Sequence, residues 1–498
     1  MINLRDHKKL FVFGKRFAGF AGMLLILLCT FSCSNLMVND GGSLVIAVPG
    51  ARAATASSFT IKLTGSNGAT QNETVSGGST VQFDDLAPDT YTISVEGKNK
   101  DGVLVYSGTK SATVTAGETS SVIVELEKLV GSLTVDFSES VTSSATEFKV
   151  ELNIGDTLFK GKEVPGVTSV QFDDLAPGAY NIVVEGMDAS GAVVLYGTDS
   201  ATVEAGATAS AEVDLGEVVH DFNSLKNAVT VGGTIFIGSD IEFTETINIV
   251  VNAVNIMAMN DVTLTSSQKM FQIEEGGKLT LASESKALTL LTTGSVPNIS
   301  LNGGEFVLED NVTITGSYND GCVNFGYSTS KGGTFIMNGG TIIGNGSGTS
   351  RVGINIDAKG SIIMNGGTIS NFDTGVTLNN NANFTMTGGR ISDNSSKGVD
   401  IKGSGTPVFT ISGSAVVDTV SLTSTATTAI TVGGVLTGST PVATIIISGG
   451  YEKRTEETAN PVLINADGQN FVSTEYQKFA VGDKSYTIDS SGKLQQVQ

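Results

Sequence analysis

Two adjacent pairs of carboxylates, Asp84-Asp85 and Asp173-Asp174, are the groups in this chain best placed by type and spacing to do chemistry. Paired carboxylates bind calcium or act as acid and base in hydrolysis. Neighbouring residues in a turn at a strand end point apart, however, and the same pair recurs in two copies of one repeat. Both features favour turn formation, so we predict neither a catalytic nor a metal site here.

Cysteine and histidine are too scarce for most metal and nucleophilic chemistry. The 498 residues contain three cysteines and two histidines, and beyond Cys33 only Cys322 and His220 remain. A single thiol cannot form an intramolecular disulfide or a thiolate metal cluster. A single imidazole leaves at most one histidine for any metal site or Ser-His-Asp arrangement. We therefore expect no cofactor.

The N-terminus has the pattern of a secretory signal. Basic residues dominate positions 1–16, and residues 17–28 are apolar or glycine throughout. A helix of that length spans about 18 Å, well short of the roughly 30 Å hydrocarbon core of a bilayer. This favours a cleaved leader over a permanent transmembrane anchor.

The junction LCTFSC at residues 28–33 resembles a bacterial lipobox. In that motif the cysteine is linked to diacylglycerol and becomes the mature N-terminus. The resemblance implies a lipoprotein signal peptide over residues 1–32, lipidation of Cys33 and a linker over 33–41. The chain would then be anchored to a membrane in the cell envelope, at the outer membrane or cell surface of a spirochaete- or Bacteroidetes-like bacterium. An ordinary secretory signal, with Cys33 unmodified, is the alternative.

Composition and charge indicate an acidic, all-β protein. Charged residues make up 16% of the chain, and 61 glycines alternate in short runs with Ser, Thr and Asn. The formal net charge is −21. Affinity for nucleic acid depends on Lys and Arg that neutralise phosphates, so the sequence argues against a nucleic acid partner.

The first half of the chain contains a tandem repeat. The octapeptide VQFDDLAP occupies residues 81–88 and again residues 170–177. Further matches at the same offset define one copy over residues 42–128 and a second over 131–216.

Each copy is predicted to be a small antiparallel β-sandwich. Apolar residues alternate at period two between Gly, Asp and Asn turns. The repeated segment resembles Ig-like, prealbumin-like modules of the carboxypeptidase-regulatory type, which are stalks in bacterial surface proteins. Tyr91 and Tyr180 are predicted to bury the ring and to bond a backbone carbonyl with the hydroxyl, as the tyrosine corner of sandwiches does.

A different unit recurs after residue 217. The segments FIMNGGTI, IIMNGGTI and FTMTGGRI begin at Phe335, Ile362 and Phe384, and a second strand interleaves with them. Units this short cannot bury their own apolar faces, so neighbours must stack. Two or three short strands per unit predict a parallel β-helix over residues 217–498, with about ten turns.

The spacing of this unit predicts which side chains face inward. Two internal columns are expected: Phe335, Ile362 and Phe384, and beside them Met337, Met364 and Met386. The amides after the third inward position are predicted to form an internal ladder from turn to turn: Asn345, Asn371 and Asn394. Before the first turn, Asp221 and the apolar spacing that follows it predict a short capping helix.

This part of the chain resembles the pectate-lyase-like superfamily of right-handed parallel β-helices. Several members cleave acidic polysaccharides with Asp and Arg or Lys clustered on one outer face. The resemblance implies these local candidates: Asp357, Asp373, Asp393, Asp400, Arg351 and Arg390. Asp400 aligns with Thr377 and Asn355 on earlier turns, so no carboxylate column is expected. A polysaccharide lyase or glycoside hydrolase with a diverged site is therefore the alternative to a non-catalytic protein.

The outward positions of one strand ladder predict a polar strip for ligand binding: Asn324, Asn355, Thr377 and Asp400. Successive groups about 4.8 Å apart could donate to or accept from sugar hydroxyls. Solvated residues without a ligand are the alternative.

The combined pattern predicts a lipid-anchored bacterial surface protein in which an Ig-like stalk carries a β-helical rod. The predicted role is non-catalytic adhesion, by binding a glycan or a host or extracellular protein. A structural component of the envelope is a further alternative.

Overall fold

The fold is known from a computed structural model. It describes residues 41–48, 56–76, 79–139, 145–155, 157–250, 252–316, 321–325, 331–345, 351–356, 359–402, 405–424, 428–456, 460–466 and 474–497. The chain divides into two compact units, one of residues 1–100 with 107–126 and one of residues 101–106 with 127–498.

The first repeat contains two strands that each pair with two others. Gly42–Ala47 pairs antiparallel with Thr80–Leu86 and parallel with Thr119–Ile123. Ser58–Thr64 pairs antiparallel with two other strands. The strands in this part of the chain are Gly42–Ala47, Ser58–Thr64, Thr70–Val75, Thr80–Leu86, Asp89–Lys98, Leu104–Val114, Thr119–Ile123 and Glu127–Lys128.

The second repeat has the same pairings. Its first strand pairs antiparallel with Ser169–Leu175 and parallel with Thr208–Val219, so both repeats contain a parallel pair within a mostly antiparallel arrangement. Alternate side chains form one buried core that includes Phe148, Phe172 and Tyr180. The strands are Gly131–Glu139, Glu147–Ile154, Thr157–Pro165, Ser169–Leu175, Gly178–Met187, Val193–Val203 and Thr208–Val219.

One strand joins the second repeat to the β-helix without a break. Thr208–Val219 pairs with the first strand of the repeat through residues 208–215. Its last three residues, Glu217 to Val219, pair in parallel with Gly233–Ile237, the first strand of the coil. The repeat and the coil therefore share a continuous sheet.

The expected helix is present at Phe222–Val231. Asp221 is its N-cap and accepts hydrogen bonds from the backbone N–H groups of Asn223 and Ser224, which satisfies donors that a helix start leaves free. Its apolar face is buried, and the Phe222 ring lies 5.2 Å from that of Phe243 in the first turn. The helix thus packs against the beginning of the coil.

The coil is a parallel β-solenoid with three faces. Eight complete turns contribute a strand to each face, and two further turns contribute to the first and third faces only. The first face comprises Gly233–Ile237, Ala253–Ala258, Lys278–Ala282, Glu305–Leu308, Thr334–Met337, Ser361–Met364, Asn383–Met386, Val408–Gly413, Ile430–Leu436 and Leu463–Asn465.

The second and third faces follow the first within each turn. The second face comprises Ile241–Phe243, Val262–Ser266, Leu288–Thr292, Val312–Gly316, Thr341–Gly344, Thr368–Ser370, Arg390–Ser392 and Val416–Val417. The third comprises Ile247–Ile249, Phe271–Glu274, Ile299–Asn302, Val323–Phe325, Val352–Ile356, Thr374–Leu378, Lys397–Ile401, Thr419–Thr423, Ala443–Ser448 and Phe479–Val481. Short 3-10 helices at Glu452–Arg454 and Thr474–Lys478 and a hairpin of Tyr486–Ile488 with Leu494–Gln496 complete the C-terminal end.

The predicted inward columns are confirmed. The strands that carry them pair in register, with Phe335, Ile362 and Phe384 opposite one another and the three methionines beside them. All six side chains are buried. The aromatic column extends further, since the Phe306 and Phe335 rings stack at 4.9 Å.

The glycine pairs shape the corner between the first and second faces. A Cβ on Gly366 would lie 2.2 Å from the Asn338 carbonyl oxygen of the preceding turn, and Gly367 has a φ of +80°. The first position of the pair therefore lacks room for a side chain, and the second needs a backbone conformation that favours glycine.

Within the described ranges, no helix has the length and apolar character needed to cross a bilayer.

Replacing Met364 by Asp should destabilise the solenoid by several kcal/mol, because an unpaired charge would be buried in a dry column. The control is Val408→Asp on the same face, where the side chain is 42% exposed. Thermal unfolding of both variants checks this, and equal melting temperatures would contradict the inside and outside assignment.

Candidate functional site

Cys33 and the whole predicted leader lie outside the described residues. Lipidation at Cys33 therefore stays a prediction.

The carboxylate pairs of the two repeats occupy β-bulges. Asp85 and Asp174 both have a φ of 56°, and each lies where the register of its strand shifts. Asp84 accepts hydrogen bonds of 2.7 Å from Ser43 and Gln82, and the Ser43 hydroxyl is the main cause of its lowered pKa. Asp173 accepts the equivalent bonds from Ser132 and Gln171. The pairs therefore shape the backbone, at bulges within the strands instead of at the predicted strand-end turns.

The predicted hydroxyl bonds of the tyrosines are confirmed in both repeats, whereas the predicted burial holds for Tyr180 only, since Tyr91 is partly exposed. The Tyr91 hydroxyl donates to the Ala87 carbonyl at 3.1 Å, and the Tyr180 hydroxyl donates to the Ala176 carbonyl at 2.8 Å. Burial raises the pKa of Tyr180, which keeps the phenol protonated as a donor. These tyrosines hold the VQFDDLAP segment in place.

The predicted polar strip forms on the third face but is not open to solvent. Asn324, Asn355, Thr377 and Asp400 align in register on successive turns. Their exposed fractions are only 3%, 5%, 3% and 8%. The expectation of a solvent-facing strip is therefore wrong, because outward side chains on this face are covered by other parts of the chain. A ligand-binding role for these four residues stays a prediction.

An exposed polar column lies instead on the second face. It consists of one outward residue from each of five successive turns: Thr263, Thr289, Thr313, Thr341 and Thr368. All five side chains are partly exposed. Their hydroxyls form no hydrogen bond with any described residue. The threonine column thus presents equivalent, available hydroxyls about 4.8 Å apart.

The sequence contained a signal for this column. Thr341 and Thr368 both follow the glycine pair of the recurring NGGTI motif. Strict recurrence of a polar residue next to an inward isoleucine indicates an outward column. The covered third face and the exposed second face, however, have the same alternation of inward and outward residues, so periodicity alone does not separate them.

A ladder of polar side chains follows the corner before the threonine column. The Asn338 amide donates to Glu309 at 2.8 Å, the Asn365 amide donates to Asn338 at 2.9 Å, and the Thr387 hydroxyl donates to Asn365 at 2.9 Å. This ladder links successive turns through the first residue of each glycine motif.

The amides expected to form an internal ladder act differently. Asn371 donates to the Gly344 carbonyl at 2.7 Å and Asn394 donates to the Ile369 carbonyl at 3.3 Å. Each therefore bonds the backbone of the preceding turn instead of another amide, and Asn345 is exposed. The prediction of an amide ladder at these positions is wrong, whereas their bonding between turns is present for Asn371 and Asn394.

The residues considered for acid and base chemistry are only partly brought together: the Asp373 N–H donates to the Arg351 carbonyl of the preceding turn, whereas Arg390 and Asp400 lie on different faces. Arg390 is exposed on the second face, whereas Asp400 is on the third and lies 3.0 Å from the ammonium of Lys397. Arg351 is buried, and Asp373 accepts a hydrogen bond from the Ser395 hydroxyl. Asp357 lies outside the described residues.

The carboxyl of Asp418 is a perturbed group that the sequence did not single out. Burial raises its pKa, and the nearby charge of Asp393 adds to the rise. Its oxygens accept hydrogen bonds from the backbone N–H groups of Asn394 and Thr419. Asp418 thereby connects neighbouring turns.

The one thiol of the described residues is buried in the solenoid. Burial raises the pKa of Cys322 to about 12, although the charge of Arg351 acts in the opposite direction. No group of three or more His, Cys, Asp or Glu side chains forms a metal site in the described part of the chain.

No protein-family model and no curated protein matches this chain. Among solved structures it is similar to the Bacillus anthracis TIE protein, with 17% identity over 36% of each chain and a TM-score of 0.20. It thus spans about a third of that protein's length.

Two other similar structures cover the same share of this chain. The minor pilin of Streptococcus agalactiae has 12% identity over 36% of this chain and 97% of its own, with a TM-score of 0.21. A candidate cell adhesion protein from Bacteroides eggerthii has 10% identity over 35% of this chain and 86% of its own, with a TM-score of 0.25. Similarities of this size establish neither a shared fold nor a function.

Cys322 should resist thiol reagents at pH 8 in the native protein, since only the thiolate reacts and its pKa is raised. A chain with Cys29 and Cys33 replaced by alanine isolates its signal, and labelling should begin only in denaturant. Rapid labelling under native conditions would show that this turn is open.

Proposed function

We propose that this chain is a non-catalytic surface adhesion protein of a bacterium, anchored by lipid at Cys33, that binds glycans on its solenoid. The repeats act as an Ig-like stalk. The threonine column is the observation that carries the binding role. Glycans present repeated hydroxyls, and each threonine hydroxyl can donate one hydrogen bond and accept others.

The geometry of the column supports a repeating ligand. Its five hydroxyls lie on consecutive strands of one parallel sheet, so their positions are fixed by backbone pairing and not by loops. A preorganised array costs little conformational entropy on binding. The interior columns keep it rigid.

The separation of Asp400 from Arg390, and the pairing of Asp400 with Lys397, favour binding over cleavage. Most glycoside hydrolases need two carboxylates at a defined separation. Here Asp400 is covered and paired with Lys397, and Arg390 lies on another face.

Replacing Thr341 and Thr368 together by valine should weaken glycan binding at least about tenfold, since two hydrogen bonds of roughly 1 kcal/mol each are lost. Valine keeps the shape of threonine. The control replaces Thr385 and Thr410 by valine, because these residues align in register and are partly exposed on the first face.

The measurement is binding of wild type and both double variants to a printed glycan array. Unchanged binding in a well-folded Thr341/Thr368 variant, or an equal loss in the control, would contradict a role for the threonine column.

Cys33→Ala should release the protein from the membrane fraction and abolish incorporation of labelled palmitate, because the thioether has no other sulfur to form on at that position. Cys29→Ala is the matched control and should leave both unchanged. A Cys33→Ala protein that still partitions into detergent would contradict the lipid anchor.

A further inference from the structure

A groove of about 910 Å³ lies between the second repeat and the solenoid. Its floor is the outer face of the repeat's sheet, including Asn181 and Tyr196. Its wall is the solenoid turn from Glu284 to Lys286. Cavities of this size accommodate small ligands.

The floor is a regular grid of side chains from three paired strands. Glu151 lies opposite Val183, which lies opposite Thr198. Two residues further along these two strands, Asn153 lies opposite Asn181. Amide, hydroxyl and carboxylate groups therefore surround a small apolar centre, and such a mixture suits a sugar ring with polar edges and apolar faces.

The first repeat differs at these positions. At the offset of the repeats, Tyr196 corresponds to Ser107 and Asn181 to Thr92. Residues with architectural roles, by contrast, recur in both copies, as Tyr91 and Tyr180 do. The outer face of the second repeat therefore differs from that of the first at these two positions, whereas the tyrosines that bond the backbone are shared.

Tyr196 is held in place from the solenoid side. Its ring contacts the Phe236 ring edge-on, with centroids 4.9 Å apart. Phe236 points outward from the first turn and is buried beneath this contact. The Thr198 hydroxyl bonds the Glu284 carboxylate at 3.0 Å. Both contacts fix the groove, and Tyr196 remains partly exposed on its floor.

The groove continues toward the threonine column. Ser285 and Lys286 also line a second depression of about 600 Å³. Thr313 and Thr341 of the column line that depression. A chain-like ligand can thus contact the repeat, the turn and the column in sequence.

The charge of the groove selects among glycans. The carboxylates of Glu151, Asp199 and Glu284 line it together with Lys286, and the Lys149 ammonium lies 2.6 Å from Glu151, so carboxylates still outnumber ammonium groups here. An anionic sugar would meet net repulsion here, whereas a neutral or amine-bearing sugar would not.

We infer that this groove binds the end of a neutral or amine-bearing oligosaccharide whose following residues lie along the threonine column. The inference rests on the proposed function and specifies the ligand class and the residues that select it. Tyr196 stacks on a sugar face, and Asn153 and Asn181 bond its hydroxyls.

The test uses the full chain in detergent and three pentasaccharides: cellopentaose, a fully deacetylated chitosan pentamer and pentagalacturonate. The variants Tyr196→Ser and Asn181→Thr introduce the residues that the first repeat carries at these positions, so the sheet tolerates them. The controls are Ser107→Ala and Thr92→Ala in the first repeat.

We expect the wild type to bind a neutral or amine-bearing pentamer more tightly than pentagalacturonate, with an affinity loss of at least about tenfold in Tyr196→Ser and none in the controls. Unchanged affinity in both groove variants, or preference for pentagalacturonate, would overturn the groove assignment while leaving the threonine column as the binding surface. A wild-type chain that binds none of the three pentamers, nor any glycan on the array, would contradict the proposed function as well.

Discussion

Backbone pairing between successive turns is the interaction on which the rest of this molecule depends. Each turn leaves the N–H and C=O groups of its strands directed at the next turn, and in-register stacking satisfies them. At the N-terminal end, the strand from the second repeat pairs with the first turn through Glu217 to Val219. That pairing covers one otherwise open edge, a position that invites unwanted association.

The same pairing determines the outer surface. Because the strands stack in register, apart from one shift between Ile411 and Gly413, a residue that recurs at one position becomes a column, whether it points inward or outward. The interior columns of phenylalanine and methionine are buried and fill the core of the coil. The threonine column is their outward counterpart. In the proposed function, binding therefore depends on repetition of one weak contact along the threonine column, together with an aromatic groove at the second repeat.

Sequence reasoning succeeded where local periodicity decides the outcome. The inward positions of Ile362 and Met364, the helix after Asp221 and the hydroxyl bond of Tyr180 all follow from spacing within one or two elements. Sequence reasoning failed where the exposure of a residue depends on whether other segments of the chain cover it. Asn355 and Thr368 are both outward residues in the sequence pattern, but only one is exposed. The groove could not be predicted from the sequence either, because Tyr196 and Glu284 come together only in the tertiary structure.

Deletion of residues 338–364 tests the stacking account most directly. This segment is one turn, measured from one NGG corner to the next, and its removal joins Met337 to Asn365 in the same motif. If the turns are equivalent stacked units, the variant that lacks residues 338–364 should unfold in one cooperative thermal transition, with a melting temperature within a few degrees of the wild type. Deletion of residues 338–355, which ends in mid-turn, should abolish cooperativity. Loss of cooperative unfolding in the whole-turn deletion, or equal behaviour of both deletions, would contradict the account.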